Sequence, residues 1–206
     1  MIAVIEGISA AGKTTWCRSH AGDCLVAETF PTDRHLQPKE GRAVAQYWTD
    51  WNAKRWTEAL SVENFRGLSI CDTDPLKLHY SWSLWQVGEL PESQWIFQLE
   101  ATREAVSEKK IGFADLYLVK RIDPAIARLQ RDNDVARPRE RFELHVQLQV
   151  PLVRWYKALE ATLEGHVIWN LPDELPGKQN WRVNKFRYDL GIFDAFICSL
   201  PRKIEA

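Results

Sequence analysis

The chain has 206 residues, of which 45% are hydrophobic and 27% are charged, and its 27 Lys and Arg against 28 Asp and Glu give a net charge of −1. This length supplies one sizeable hydrophobic core, so we expect a single domain over residues 1–206. The near-neutral charge argues against a nucleic-acid partner. The lack of a long apolar run or a basic leader argues against a membrane partner and favours a cytoplasmic protein.

Short apolar runs alternate with helical patterns along the chain. In chain order we expect a strand at 2–5, a helix at 13–20, a strand at 24–27, a loop at 31–41 and a helix at 42–60. A strand at 68–71, a helix at 92–109, a strand at 114–119 and a helix at 124–131 follow. The chain ends with a long helix at 138–163 kinked at Pro151, a strand at 166–169 and a helix at 188–200. The alternation predicts a three-layer α/β/α fold with a five-stranded parallel sheet.

A glycine-rich motif follows the first predicted strand and precedes the first predicted helix. Residues 7–14 read GISAAGKT and fit the pattern G-x-x-x-x-G-K-[ST]. The Lys13 ammonium is suited to the β- and γ-phosphates and to catalysis, and the Thr14 hydroxyl to Mg²⁺. Backbone N–H groups of this loop are expected to bind phosphate oxygens, and the residues concerned are Gly7, Ser9, Ala10, Ala11, Gly12, Lys13, Thr14 and Thr15. The motif predicts a P-loop NTPase with ATP and Mg²⁺ as cofactors.

Three carboxylates lie at predicted strand ends, where open α/β sheets bind their ligands. Glu6 directly precedes the loop, so it is a candidate for the catalytic base, or it holds Mg²⁺ through water or caps the loop. Asp72 and Asp74 follow the third strand as candidate metal ligands, and Asp72 is also a candidate base. The alternative for Asp74, which precedes Pro75, is a turn and helix cap.

Residues 5–15 resemble the start of the thymidylate kinase and deoxynucleoside kinase families, which also open this loop with Glu-Gly. The segments 72–86 and 117–128 are similar to later motifs of thymidylate kinases, so the resemblance covers about residues 2–170 in order. It implies the nucleoside/nucleotide kinase-like P-loop fold and an ATP-dependent phosphotransferase acting on a nucleoside or nucleoside monophosphate. Two positions depart from thymidylate kinases. Thr73 replaces an arginine that contacts the acceptor's monophosphate there, and Ser9 replaces an acidic residue.

An arginine-rich segment at 128–141 corresponds to the lid that closes over ATP in the kinases that the chain resembles. Guanidinium groups stabilise the charge that develops on a transferring phosphoryl group. We therefore expect Arg131 and Arg137 to be catalytic and Arg128 to bind ATP. The alternative is a solvated helix end with salt bridges.

The acceptor pocket is expected to involve an insert at 31–66 and the residues that follow it. Six of the ten tryptophans fall between residues 48 and 95, so aromatic rings are candidates for stacking on a planar base, and core packing is the alternative. The candidates are Phe30, Arg34, Arg42, Tyr47, Trp48, Trp51, Tyr80, Trp85 and Gln86. The five histidines form no recognisable catalytic or metal-binding pattern, so we expect them to have structural roles or to lie on the surface. No role is assigned to residues 172–206.

The leading hypothesis is a kinase for a small, nucleoside-like phosphate acceptor. Two alternatives stay open: a hydroxyl kinase for an antibiotic or a sugar-like metabolite, and a P-loop ATPase or nucleotide switch that is not a kinase. The sequence does not decide between a monomer and a homodimer.

Overall fold

A five-stranded parallel sheet forms the centre of the molecule. The computed structural model describes residues 1–32, 36–133, 141–175 and 183–203. The strands are β1 (Ile2–Glu6), β2 (Leu25–Val26), β3 (Ser69–Asp72), β4 (Leu116–Val119) and β5 (Val167–Trp169). Their order is β2–β3–β1–β4–β5, and all neighbours are parallel. The predicted sheet is thereby confirmed.

Helices cover both faces of this sheet. They are α1 (Lys13–His20), α2 (Gly41–Arg66), α3 (Leu78–Gln86), α4 (Glu92–Ser107), α5 (Pro124–Asn133), α6 (Phe142–Gln147), α7 (Gln149–Thr162) and α8 (Leu190–Ser199). Successive residues of β1 point to opposite faces. Ile2 and Val4 join the core with α2, α3, α4, α7 and α8, whereas Ala3 and Ile5 pack with α1. The predicted three-layer α/β/α architecture is confirmed.

The region around Pro151 differs from the prediction of one kinked helix over 138–163. The chain forms two helices, α6 and α7, which meet at Leu148, and residues 138–140 lie outside the described ranges. Pro151 falls in the first turn of α7, where a backbone N–H has no helical partner, so proline is accommodated there without a kink.

Helix α3 was not predicted as a helix. Its buried residues are Leu78, His79, Trp82 and Ser83, so polar and apolar side chains share the buried face and hide the helical periodicity. Lys77 precedes this helix with φ 51°, in the left-handed region. The helix lies at the carboxyl edge of the sheet and supplies walls of the site described below.

The C-terminal segment completes the core. Phe193 and Phe196 of α8 are fully buried, and Phe196 packs edge-on against Trp155 of α7 with 4.8 Å between ring centroids. Ahead of α8, the Arg187 guanidinium binds the carboxylates of Glu63 and Asp115. The described part of 172–206 thus has a structural role that the sequence did not reveal. Within the described ranges, no helix has the length and apolar character needed to cross a membrane.

Candidate active site

The glycine-rich loop curls between β1 and α1 as the motif predicts. Gly7, Ala10 and Gly12 have φ values of 151°, 64° and 82°. A Cβ at Gly7 would lie 2.8 Å from the carbonyl oxygen of Lys120, so only glycine fits there. The Lys13 Nζ donates to the carbonyls of Gly7 and Ile8 at 2.6 and 3.1 Å. The loop forms one wall of a cavity of about 300 Å³, which we call the phosphate cavity.

Two oxygen ligands meet at the phosphate cavity. The Thr14 hydroxyl donates a 2.8 Å hydrogen bond to Asp72 Oδ2, which joins the start of α1 to the end of β3. Hydroxyl and carboxylate oxygens suit Mg²⁺, which takes few protein ligands and completes its shell with phosphate oxygens and water. The described residues contain no group of three or more His, Cys, Asp or Glu side chains arranged for a metal. Thr14 and Asp72 supply two oxygen atoms that suit such a shell.

Glu6 is buried beneath the loop, and both of its oxygens have partners. Its Oε2 accepts from the Gly7 N–H at 3.1 Å, and its Oε1 accepts from the Asp74 N–H at 2.7 Å. Burial opposes ionisation of Glu6, but His79, Lys77 and Lys13 outweigh it and hold its pKa below the ordinary value. The carboxylate links the carboxyl ends of β1 and β3 and is ionised at neutral pH.

Asp74 turns away from the phosphate cavity. Its Oδ1 accepts from the Leu76 N–H at 2.9 Å, and its Oδ2 accepts from the Tyr156 hydroxyl at 3.4 Å. Burial, and then the negative charge of Glu6, raise the pKa of Asp74 to about 7. The contact with Leu76 matches the turn-and-cap alternative for Asp74, and Asp74 is not among the described residues that line the cavity.

A second cavity of about 270 Å³, which we call the aromatic cavity, adjoins the first. Its walls combine aromatic rings with amide side chains and one guanidinium. The residues with these groups are Phe30, Trp48, Trp51, Tyr80, Asn52, Gln94, Gln98 and Arg55. Gln98 is fixed by a 2.8 Å hydrogen bond from its amide to the Thr49 hydroxyl. Apolar walls with a few oriented polar groups are typical of a site for a small planar ligand.

Glu28 and Lys77 stand where the two cavities meet, because both residues line each cavity. The Lys77 Nζ is 2.6 Å from Glu28 Oε1, and it also lies 5.7 Å from the centre of the Tyr80 ring. Burial favours the neutral acid, but Lys77 outweighs it and lowers the pKa of Glu28 to about 2. In Lys77, burial favours the neutral amine, and Glu28 outweighs it and raises the pKa. Both groups are therefore charged at neutral pH.

Arg55 of α2 supports the loop that follows β3. Its Nη2 donates to the carbonyls of Asp72 and Thr73 at 3.0 and 3.1 Å, and contacts the Thr73 hydroxyl at 3.2 Å. Thr73 has φ 74°, which is unfavourable for a β-branched residue and needs such support. Arg55 of α2 thus places a guanidinium beside the backbone of position 73.

The predicted acceptor residues divide between the two cavities and other places. Phe30, Trp48, Trp51 and Tyr80 line the aromatic cavity, whereas Arg42, Trp85 and Gln86 are not among the described residues that line either cavity. Arg42 pairs with Glu100, and the Trp85 ring stacks on Trp95. The remaining tryptophans of the window, Trp56, Trp82 and Trp95, are buried in the core. Arg34 and Arg137 lie outside the described residues.

The predicted lid residues within the described ranges bind an acidic side chain. Arg128 donates to Glu143 at 2.7 Å, and Arg131 contacts Glu143 at 3.3 Å while its guanidinium lies 4.6 Å from the centre of the Phe142 ring. These exposed contacts join the end of α5 to the start of α6, on either side of the segment 134–140.

The sequence interpretation missed several residues of the site. Glu28 directly follows the strand predicted at 24–27, so the strand-end rule that selected Asp72 also applies to it. Asn52 and Arg55 follow Trp48 at helical spacings of four and seven residues, which places all three on one face of α2. His79 and His145 line the phosphate cavity, although no histidine was predicted to belong to the site.

No protein-family model matches the chain, and no curated protein matches it. Among solved structures, the chain is similar to deoxyadenosine kinase from M. mycoides with bound dATP. That similarity has 16% identity and a TM-score of 0.53, and it covers 82% of this chain and 90% of that chain. A second structure, EHV4-TK complexed with TP4A, is 13% identical with a TM-score of 0.46, covering 79% of this chain and 57% of that chain. The first similarity shows that the chain shares its fold with that deoxyadenosine kinase.

Proposed function

We propose that the protein is a kinase that uses ATP and Mg²⁺ to phosphorylate a hydroxyl group of a nucleoside-like small molecule. The observation that carries this proposal is the Glu28–Lys77 pair, which stands between a phosphate-binding loop and an aromatic cavity. An ionised carboxylate at that junction can accept a hydrogen bond from an acceptor hydroxyl that faces the phosphate-binding loop. The fold shared with a deoxyadenosine kinase supports the same activity.

The donor side of the site follows from the loop. Lys13 and the loop N–H groups would bind the phosphates of ATP, and Thr14 with Asp72 would hold Mg²⁺, which neutralises phosphate charge when bound. An outer groove continues from Gly12 and Thr15 past Trp16 to Pro172 and is a candidate for the adenosine part of ATP. Arg128, Arg131 and Arg137 remain proposed lid residues that stabilise the phosphoryl group.

The charges at the junction favour a neutral acceptor over a nucleoside monophosphate. Lys77 is already paired with Glu28, and Arg55 is bonded to backbone carbonyls. Among the described residues, no other Lys or Arg lines the aromatic cavity. A phosphate dianion would be repelled by the Glu28 carboxylate, because Lys77 is committed to that carboxylate and the Arg55 guanidinium, which has no acidic partner among the described residues, holds the backbone of Asp72 and Thr73. A hydroxyl group, in contrast, can donate a hydrogen bond to that carboxylate.

We assign the base to Glu28 within this proposal. The acceptor oxygen bonds to the γ-phosphorus, the bond from that phosphorus to the β–γ bridging oxygen breaks, and the hydroxyl proton passes to Glu28. A weakly basic carboxylate suffices because the transition state is loose and the main requirement is orientation of the hydroxyl. Glu6, whose oxygens are engaged by two backbone N–H groups, positions the loop instead.

An ATP-consumption screen tests the proposal. Acceptors are nucleosides, nucleoside monophosphates and aminoglycoside-like or sugar alcohols, and Lys13→Ala is the inactive control. We expect nucleosides to stimulate ADP release and monophosphates to do so far less. Strong stimulation by monophosphates would refute the charge argument, strong stimulation by the other alcohols alone would refute the nucleoside assignment, and hydrolysis that no acceptor stimulates would refute the kinase.

A further inference from the structure

Two polar side chains of α3 border the phosphate cavity, and each has a buried polar atom without a hydrogen-bond partner among the described residues. His79 and Ser83 are one helical turn apart, and only 4% and 1% of their surfaces are exposed. Neither His79 Nδ1 nor Ser83 Oγ has a partner within the described residues. Buried polar atoms in native proteins are nearly always satisfied, so the pair indicates a place where a bound group completes the hydrogen bonding.

The surroundings of His79 fix the kind of group that fits. Its Nε2 lies 3.5 Å from Glu6 Oε1, and we assign the ring hydrogen to Nε2 because a carboxylate can only accept. The unpartnered Nδ1 then carries a lone pair and requires a donor. The Ser83 hydroxyl can donate or accept. A hydroxyl group has the matching chemistry, because it can donate to His79 Nδ1 and accept from Ser83 Oγ.

The same cavity is also lined by His145 of α6, by Leu148 between α6 and α7, and by Leu152 of α7. Burial, more than any neighbouring charge, lowers the pKa of His79 to about 4 and also lowers the pKa of His145. Both imidazoles are therefore neutral at neutral pH. Without a positive charge on either ring, and with the Glu6 carboxylate beside His79, the recess at His79 and Ser83 disfavours an anion and suits a neutral hydroxyl.

The recess lies on the acceptor side of the phosphate cavity. The ring of His145 contacts the ring of Tyr80 with 6.1 Å between centroids, and Tyr80 also lines the aromatic cavity. We propose that the recess of His79 and Ser83 binds a sugar hydroxyl of the acceptor and makes the enzyme discriminate among nucleosides by that hydroxyl. This inference rests on the proposed function, because it takes the occupant of the aromatic cavity to be a nucleoside.

The test combines deletion of a substrate hydroxyl with deletion of the protein hydroxyl. The ratio kcat/KM is measured for one nucleoside and for analogues that each lack a single sugar hydroxyl, with the wild type and with Ser83→Ala. We expect one analogue to be about 10–100-fold poorer with the wild type, and this difference to shrink to about threefold or less with Ser83→Ala. The control Ser107→Ala, on the exposed face of α4, keeps the wild-type discrimination.

Further arms separate the outcomes. Ser83→Cys nearly preserves the volume of the side chain, but a thiol forms weaker hydrogen bonds than a hydroxyl. We expect this variant to discriminate to an intermediate degree. It replaces Ser83→Ala in the test if thermal melting shows that Ser83→Ala is unfolded. Equal discrimination by wild type and both Ser83 variants overturns the inference. The inference is also overturned if Ser83→Ala changes the discrimination between ATP and 2′-deoxy-ATP as donors but not the discrimination between the acceptor and its analogues. If no nucleoside is phosphorylated by the wild type, the proposed function itself has failed.

Discussion

Replacing Glu28 by glutamine tests whether the negative charge at the junction of the two cavities is needed for catalysis, because the size and shape of the side chain stay nearly the same. The substitution keeps the size of the side chain but removes the negative charge that faces Lys77 at 2.6 Å and the oxygen that accepts the proton. General-base catalysis contributes about 10²–10⁴-fold, so we expect kcat to fall by that factor, equivalent to about 2.7–5.5 kcal/mol of transition-state stabilisation. The KM for ATP should change little, because the Lys13 and Thr14 contacts are retained.

The assay follows ADP formation at saturating acceptor, with Glu58→Gln on the exposed side of α2 as the charge-matched control. Glu6→Gln is the informative comparison, because Glu6 accepts from two backbone N–H groups and an amide must direct its own N–H at one of them. That variant should melt at a lower temperature. A Glu28→Gln enzyme with a nearly normal kcat, together with a stable Glu6→Gln enzyme that has lost activity, would refute this assignment and return the base to Glu6.

Three further substitutions test the core, the buried acid and the aromatic cavity. Arg187→Met leaves Asp115 buried and unpaired, so the free energy of unfolding in urea should fall by about 3–5 kcal/mol, whereas Arg103→Met at the exposed pair with Asp194 should change it little. The raised pKa of Asp74, about 7, means that wild-type stability falls as pH rises from the ordinary Asp range to about 7. The melting temperature of Asp74→Asn should therefore rise relative to that of the wild type from about pH 4 to about pH 7 and the difference should then level off; a constant difference would contradict the burial of an ionisable group there. Trp48→Ala should raise the KM for the acceptor by about tenfold through lost stacking and leave the KM for ATP unchanged; equal changes in both would place Trp48 outside the acceptor site.

Local patterns predicted the sheet and the phosphate loop because their signals are contiguous in the sequence. The β-branched run of β1, the glycine spacing and Lys13 lie within thirteen residues, and a parallel strand buried on both faces has a recognisable composition. Helix α3 escaped prediction because His79 and Ser83 share its buried face with Trp82. Polar residues on a buried face break the periodicity that indicates a helix.

The junction of the two cavities could be predicted only in part. Glu28 follows a strand as Asp72 does, but the pairing of Glu28 with Lys77 depends on the left-handed backbone at Lys77 and on how α3 begins. Arg55 reaches the Thr73 backbone from another helix, and no local pattern contains that contact. The roles of individual tryptophans could not be predicted either. The sequence shows that six of them lie between residues 48 and 95, but only the packing shows that Trp48 lines the aromatic cavity and Trp56 lies in the core.

The most direct test of the central claim is mass spectrometry of the acceptor after incubation of the wild-type protein with ATP, Mg²⁺ and a mixture of nucleosides. We predict a phosphorylated nucleoside formed in equal amount to ADP, and neither product with Lys13→Ala. Release of ADP with every nucleoside unmodified would contradict the claim, because the loop would then serve a nucleotide hydrolase or switch instead of a kinase.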